Sequence, residues 1–158
     1  YQFFLDVALF TRDCFKTLTE IYTVLTTNRI WKSRLVNIGS LNMSDVVSYG
    51  ATGVLARSVG VKKDLRFLKS ETYSHYWFLS MQGYLGKRGD SYDRFLIRLR
   101  EMYESLNIVY QLLSNLTNTS DKTNFSHNSI LNQSNFFSTF LHLQQNKYRK
   151  LNHNTKYT

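Results

Sequence analysis

The sequence predicts a mainly α-helical protein with minor β structure. Two segments, residues 3–25 and 92–113, carry apolar side chains three and four positions apart, the spacing that places them along one side of a helix. Between Gly50 and Gly86 this periodicity fades, and five glycines together with the aromatic stretch Thr72–Leu79 indicate loops and one strand. With 158 residues the chain is long enough to bury a core.

The first predicted helix covers residues 3–25. Its apolar stripe consists of Phe3, Val7, Phe10, Cys14, Leu18, Ile21 and Leu25. Because Cys14 lies on this stripe, we expect a buried and unreactive thiol rather than a nucleophile paired with His75. A single cysteine also excludes a disulfide framework and a cysteine-ligated metal centre within the chain, and the four histidines lack metal-ligand spacing.

Two short helices and a loop region are predicted next. The segment Thr26–Asn28 offers capping side chains for a helix that ends at Gly39. Ser44 starts a third helix, which ends at Gly50. We expect residues 51–86 to form loops with one hairpin.

A long helix, the most regular element of the chain, is predicted to begin after Asp90. This residue is of the N-cap type, and Asp93 in the first turn suits the positive end of the helix dipole. The apolar residues of 92–113 should face other helices. On the polar side we expect the charged pairs Arg98–Glu101 and Arg100–Glu104.

Residues 117–158 differ in composition from the rest of the chain, so the predicted domain boundary separates 1–116 from 117–158. The second part is predicted to contain a polar linker, a short helix at residues 136–143 and a basic tail. We interpret it as an appendage to the helical region.

The net charge of +9 suits an anionic partner, such as RNA, an acidic lipid surface or an acidic neighbouring subunit. Trp31, Tyr76 and Trp77 are of a type that stacks on RNA bases, although aromatic side chains in so aromatic a chain more often belong to the core. An RNA- or ribosome-associated basic helical protein is therefore the alternative function. The chain has no phosphate-binding loop and no dinucleotide fingerprint.

Three blocks of sequence carry a resemblance to a known family. They are TTNRIWKSRLVNIG at 26–39, SDVVSYGATGVLARSVGVKKDLR at 44–66 and GKRGDSYDRFLIRLREMYESL at 86–106. In this order and spacing they resemble the 49-kDa, hydrogenase-like core subunit of respiratory complex I, the NADH dehydrogenase subunit 7 type. The resemblance covers residues 1–116, and it implies the helical middle part of the 49-kDa and NiFe-hydrogenase large-subunit fold.

The chain departs from the family pattern at several positions. Lys63 replaces the usual tryptophan before Asp64, and Ser91 replaces the cysteine often found after the Arg-Gly-Asp sequence. The family's N-terminal part, with the tyrosine and histidine for the quinone headgroup, and its C-terminal glycine-rich part have no counterpart here. No catalytic residue of the family can therefore be assigned. We expect a split subunit whose remaining parts are separate chains of a divided mitochondrial gene; the alternative is that these residues are a piece of a longer chain.

The resemblance implies a place in the cell and a set of partners. The expected place is the matrix side of the mitochondrial inner membrane, in the peripheral arm of complex I. Expected neighbours are the iron–sulfur subunit with the terminal cluster, a 30-kDa-type subunit and the membrane-arm subunit that forms the quinone channel, with no nucleic acid. The parent complex uses FMN, iron–sulfur clusters and ubiquinone, and we expect none of these, and no metal, to be bound by this chain.

Glycines and charged residues in the second and third blocks predict a buried polar junction, where loops join helices. Its candidates are Arg57, Gly60, Asp64, Arg66, Arg88, Gly89, Asp90, Asp93 and Arg94. Because an unpaired buried charge costs several kcal/mol, we expect arginine–aspartate pairs among them. The expected role is structural rather than quinone binding or proton transfer.

Overall fold

A computed structural model describes residues 2–67, 71–120 and 156–157. The chain forms two compact units, one of Tyr1–Leu113 with Lys156–Thr158 and the other of Ser114–Thr155. The predicted helix at 136–143 and most of the predicted basic tail lie outside the described residues. The predicted boundary at residue 116 stays a prediction.

Five helices account for most of the described chain, in agreement with the predicted mainly α class. They are α1 (Gln2–Thr27), α2 (Arg29–Leu35), α3 (Met43–Ser48), α4 (Val54–Ser58) and α5 (Ser91–Ser120). Two 3-10 segments, Leu65–Phe67 and Glu71–Phe78, and one two-stranded sheet complete the described elements. In that sheet β1 (Gly83–Tyr84) pairs antiparallel with β2 (Lys156–Tyr157). No helix in the described ranges is long and apolar enough to cross a membrane.

The region between α3 and α5 differs from its prediction in three ways. Among the described residues, its strand β1 pairs with β2 and not with a second strand of residues 51–86, so the predicted hairpin is wrong. The aromatic stretch Thr72–Leu79 forms 3-10 turns with a kink at Tyr73, so the predicted strand is wrong. Aromatic residues favour strands through packing on a pleated surface with paired neighbours, and this segment is not paired in the sheet of β1 and β2. Helix α4 was not predicted, because five residues are too few to show a helical period.

Helix α1 buries a different side from the predicted stripe. Its buried residues are Thr11, Phe15 and Tyr22, whereas Phe3 and Phe10 are 70% and 68% exposed. The Phe15 ring packs edge-to-face on Tyr103 of α5, with centroids 5.3 Å apart. Thr11 can be buried because its hydroxyl donates to the backbone oxygen four residues earlier, at 2.7 Å.

Cys14 was expected to be buried, but its side chain is only half-buried. A pattern of hydrophobic residues predicts that a helix has an apolar side, but the neighbouring helix selects which side is covered. Here the aromatic contact with α5 turns the thiol partly away from the core.

Helix α5 supplies the centre of the core. Leu99 and Tyr103 of the predicted apolar seam are buried, and so are Ile97 and Ile108, which lie beside that seam. Asn28 caps α2 as predicted, accepting hydrogen bonds from the backbone nitrogens of Ile30 and Trp31. The core therefore rests on α5, and the loops before α5 determine how the other elements reach it.

Candidate functional site at the loop–helix junction

Asp90 lies at the centre of the junction between the loops and α5, and its side chain is fully buried. Its Oδ1 accepts a hydrogen bond from the backbone nitrogen of Asp93 at 2.8 Å, which caps α5. Its Oδ2 accepts one from the backbone nitrogen of Asn37 at 2.9 Å. One carboxylate therefore starts the long helix and fixes the loop that follows α2.

Asp93 holds the loop that precedes α5. Its Oδ2 accepts hydrogen bonds from the backbone nitrogens of Lys87 at 2.9 Å and Arg88 at 2.8 Å. The side chain of Arg88 is exposed. Of the Arg-Gly-Asp sequence at 88–90, the arginine thus contributes its backbone and the aspartate its side chain.

The guanidinium of Arg94 bonds two loop carbonyl groups and the side chain of Ser91, the first residue of α5. Its Nη1 donates to the backbone oxygen of Gly89 at 2.8 Å, and its Nη2 donates to the backbone oxygen of Gly39 and to Ser91 Oγ, both at 2.9 Å. In the described part of the chain, backbone groups are therefore the main hydrogen-bond partners of Arg94, Asp90 and Asp93. The expected arginine–aspartate pairing does not occur among these three.

Close backbone contacts at two glycines join the third sequence block to the second, and to Leu41 between the first and second blocks. The backbone nitrogen of Gly89 donates to Ser58, its backbone oxygen accepts from Leu41, and its φ is +64°. Gly86 donates to the backbone oxygen of Arg57 at 2.8 Å, and a Cβ at Gly86 would lie 2.5 Å from the backbone oxygen of Ser58. Only residues without a side chain allow these segments to approach so closely.

Of the other predicted junction residues, Gly60 lies near Gly86, whose backbone oxygen would be 3.7 Å from a Cβ at Gly60. The remaining three, Arg57, Asp64 and Arg66, lie in a separate cleft of about 330 Å³. We call it the charged cleft; it is lined by Arg57, Asp64, Arg66, Arg98, Glu101, Met102 and Ser105. Arg57 forms a largely buried ion pair with Glu101 at 2.6 Å. Arg66 binds Asp64 through two hydrogen bonds, of 3.0 and 2.7 Å. The residues of the predicted junction therefore form two sites. The backbone of Arg57 contacts the junction around Asp90, and the side chain of Arg57 lines the charged cleft.

The bidentate pair in the charged cleft shifts the pKa of both partners. Partial burial raises the pKa of Asp64, but the hydrogen bonds and charge of Arg66 outweigh it and hold that pKa below its usual value. The hydrogen bond with Asp64 raises the pKa of Arg66. Asp64 is therefore an anion at neutral pH, which suits an ion-paired structural group better than a general acid or base.

The family model of the 49 kDa subunit of respiratory-chain NADH dehydrogenase matches residues 1–156. The chain belongs to this family. The match extends beyond residues 1–116, over which the three blocks carry the resemblance, and includes most of the polar C-terminal part.

Curated members of the 49-kDa family align with most of this chain. The 49 kDa subunit of NADH-ubiquinone oxidoreductase from Paramecium tetraurelia is 51% identical over 112 residues, which cover 71% of this chain and 28% of the relative. The corresponding subunit from Pylaiella littoralis is 43% identical over 117 residues, 74% of this chain and 29% of the relative. The chain thus spans less than a third of the length of these two relatives.

A solved structure agrees with the 49-kDa family fold. A chain of the membrane-bound sulfane sulfur reductase, an archaeal respiratory membrane complex, superposes with a TM-score of 0.65 at 31% identity. The superposition covers 72% of this chain and 30% of that one. Within the described ranges, no cluster of three histidine, cysteine or acidic side chains is placed to hold a metal ion.

A buried polar group on α5 was not anticipated from the sequence. Glu104 is only 5% exposed, and its carboxylate accepts hydrogen bonds from the backbone nitrogen of Gln82 at 3.1 Å and from Tyr84 Oη at 3.2 Å. Arg100, also buried, lies 5.8 Å from the centre of the Tyr84 ring. These charges were expected on the polar side of the helix. Ile97 lies three positions before Arg100, Ile108 lies four positions after Glu104, and both isoleucines are buried. Residues three or four positions apart lie on the same side of a helix, so this spacing indicates that Arg100 and Glu104 face the core.

We expect the stability of Glu104→Gln relative to wild type to increase as the pH rises above about 4.5, the ordinary pKa of this group. Burial raises the pKa of Glu104, which hydrogen bonds and Arg66 only partly offset. A carboxyl group whose pKa is higher in the folded than in the unfolded state stabilises the fold at a pH below the unfolded-state pKa. This stabilisation is lost as the pH rises through the folded-state pKa. Thermal denaturation of the complex at several pH values measures the difference between variant and wild type.

Glu20→Gln, at an exposed position of α1, is the control for the Glu104 substitution. It gives the effect of the same substitution away from the core at each pH. A Glu104→Gln difference that does not change with pH would contradict a raised pKa of Glu104.

Proposed function

We propose that this chain forms the middle part of the 49-kDa subunit of mitochondrial NADH:ubiquinone oxidoreductase and serves electron transfer from NADH to ubiquinone. The observation that carries the proposal is the family match over residues 1–156. The 51% identity to the Paramecium tetraurelia subunit supports the same function. The comparisons give no support to the RNA- or ribosome-associated alternative.

Within that complex we assign the chain the role of a scaffold at the quinone-reduction region. The junction around Asp90 supports this role, because it bonds the loop after α2 and the loop before α5 to the start of α5 through backbone groups. A hydrogen-bonded junction of this kind holds helices in fixed positions and carries no nucleophile. We propose that the chain has no self-contained active site and that proton translocation belongs to the complex as a whole.

The proposed location is the matrix side of the mitochondrial inner membrane, in the peripheral arm. The proposed neighbours are the remaining parts of the 49-kDa subunit, the iron–sulfur subunit with the terminal cluster, a 30-kDa-type subunit and the membrane-arm subunit of the quinone channel. FMN, the iron–sulfur clusters and ubiquinone would be held by the complex, with none bound by side chains of this chain alone. A half-buried single cysteine is consistent with that proposal.

Native gels of mitochondrial membranes test the proposed function. We expect the chain, identified by its peptides, to migrate with the band that stains for NADH dehydrogenase activity. Migration with ribosomal RNA, and absence from the activity band, would overturn the proposal.

The structural role of the junction is tested by Arg94→Ala. The substitution removes three hydrogen bonds and should destabilise the fold by about 1.5–3 kcal/mol, the range of bonds made by charged groups. The amount of assembled complex should fall, whereas quinone reduction per assembled complex should not. Arg88→Ala, at an exposed side chain of the same loop, is the control. Normal assembly with impaired quinone reduction would show a chemical role for Arg94.

A further inference from the structure

The charged cleft carries one more positive than negative side chain. Two of its arginines are engaged, Arg57 with Glu101 at 2.6 Å and Arg66 with Asp64. The third, Arg98, reaches the same Glu101 carboxylate only at 3.5 Å, and its side chain is 67% exposed. Three guanidinium groups therefore face two carboxylates, and the most weakly held cation lies at the rim.

The ion pair of Arg57 and Glu101 leaves an incomplete hydrogen-bond set in the cleft. The Nε of Arg57 and the Oε1 of Glu101 are both buried, and neither has a hydrogen-bond partner among the described residues. The Nη1 of Arg57 donates to the backbone oxygen of Lys63 at 3.3 Å, a long bond. A buried donor without a partner costs about 1–3 kcal/mol, so an incoming acceptor would be favoured at this position.

We propose that the charged cleft receives the carboxylate of an acidic side chain from a polypeptide segment of the complex outside residues 1–158. A carboxylate is planar and accepts two hydrogen bonds side by side, which matches guanidinium donors and balances the excess charge. The volume of about 330 Å³ is at the lower end of ligand pockets, roughly 300–1,000 Å³, and admits a side chain rather than a large cofactor.

The occupant is a protein segment rather than a free anion because the cleft belongs to a larger structure. The two curated relatives have more than two thirds of their length outside the region that matches this chain. Polypeptide is thus expected around the cleft when the family subunit is whole. This inference rests on the proposed function, since it needs the chain to be in a complex.

A carbodiimide cross-linking experiment on the intact complex tests the inference. Arg98→Lys retains the rim charge and introduces an amine that carbodiimide couples to a nearby carboxylate. We expect peptide mass spectrometry to find the lysine introduced at position 98 joined to an aspartate or glutamate outside residues 1–158. Arg88→Lys, at an exposed position that does not line the cleft, should give at most a tenth of that product.

Each result decides the inference. A product formed only with Glu101, with another acidic residue of this chain, or not at all in complex that contains the variant would overturn it while leaving the proposed function intact. Absence of the chain from the complex would overturn both. As a second measurement, Arg98→Glu should reduce assembled complex at least twofold and Arg88→Glu should not; equal effects would contradict a specific partner at the cleft.

Discussion

Replacing Gly89 by alanine should strongly reduce the amount of assembled complex. Gly89 has a φ of +64°, where a residue with a Cβ is disfavoured by about 1–2 kcal/mol. A Cβ would also clash with the backbone oxygen of Leu41 and lie 2.7 Å from Val59 Cγ1. Overpacking typically costs about 1–3 kcal/mol, so the expected destabilisation is about 2–5 kcal/mol.

Two other glycines separate the two causes of this effect. Gly50→Ala tests the backbone alone, because its φ is +61° and nothing lies within 4 Å of the position that the alanine methyl group would take. Gly86→Ala tests crowding alone, because its φ is not in the left-handed region but its Cβ would lie 2.5 Å from a backbone oxygen. The amount of assembled complex, measured on native gels, should fall least for Gly50→Ala and most for Gly89→Ala. A Gly89 variant that assembles as well as the Gly50 variant would show that the loops can separate at no cost.

The second large effect is expected for Asp90→Ala. Loss of an N-cap costs about 0.5–2 kcal/mol. The same change leaves the buried backbone nitrogen of Asn37 without its acceptor, which adds about 1–3 kcal/mol. The sum, about 1.5–5 kcal/mol, should lower the thermal midpoint of the complex and its abundance.

Asp90→Asn and Asp13→Ala are the informative controls. Asparagine is a good N-cap but has one acceptor oxygen where Asp90 uses two, so its effect should lie between wild type and alanine. Asp13 is exposed on α1, and its replacement should change stability by less than about 0.5 kcal/mol. If asparagine proved as damaging as alanine, the bond to Asn37 rather than the cap would dominate.

The predicted functional residues illustrate how far a sequence can locate a site. Gly89, Asp90 and Arg94 were recognisable because capping chemistry and special glycines are local features that appear next to each other in the chain. Their partners were not recognisable, since Asn37 and Gly39 lie more than fifty positions away and contribute only backbone groups. Backbone donors and acceptors are present at every residue, so the sequence does not indicate which of them bind a distant side chain.

The sequence by itself determined that the chain is helical, where α1 and α5 lie, how Asn28 and Asp90 cap their helices, and which family the chain resembles. These features depend on the helical period and on contacts within a few residues. Only the tertiary structure decided that α1 buries Phe15 and leaves Phe10 exposed, that Thr72–Leu79 forms 3-10 turns, and that Glu104 lies in the core. The reason is physical: the covered side of a helix, and the partner of a buried charge, are set by segments far away in the chain.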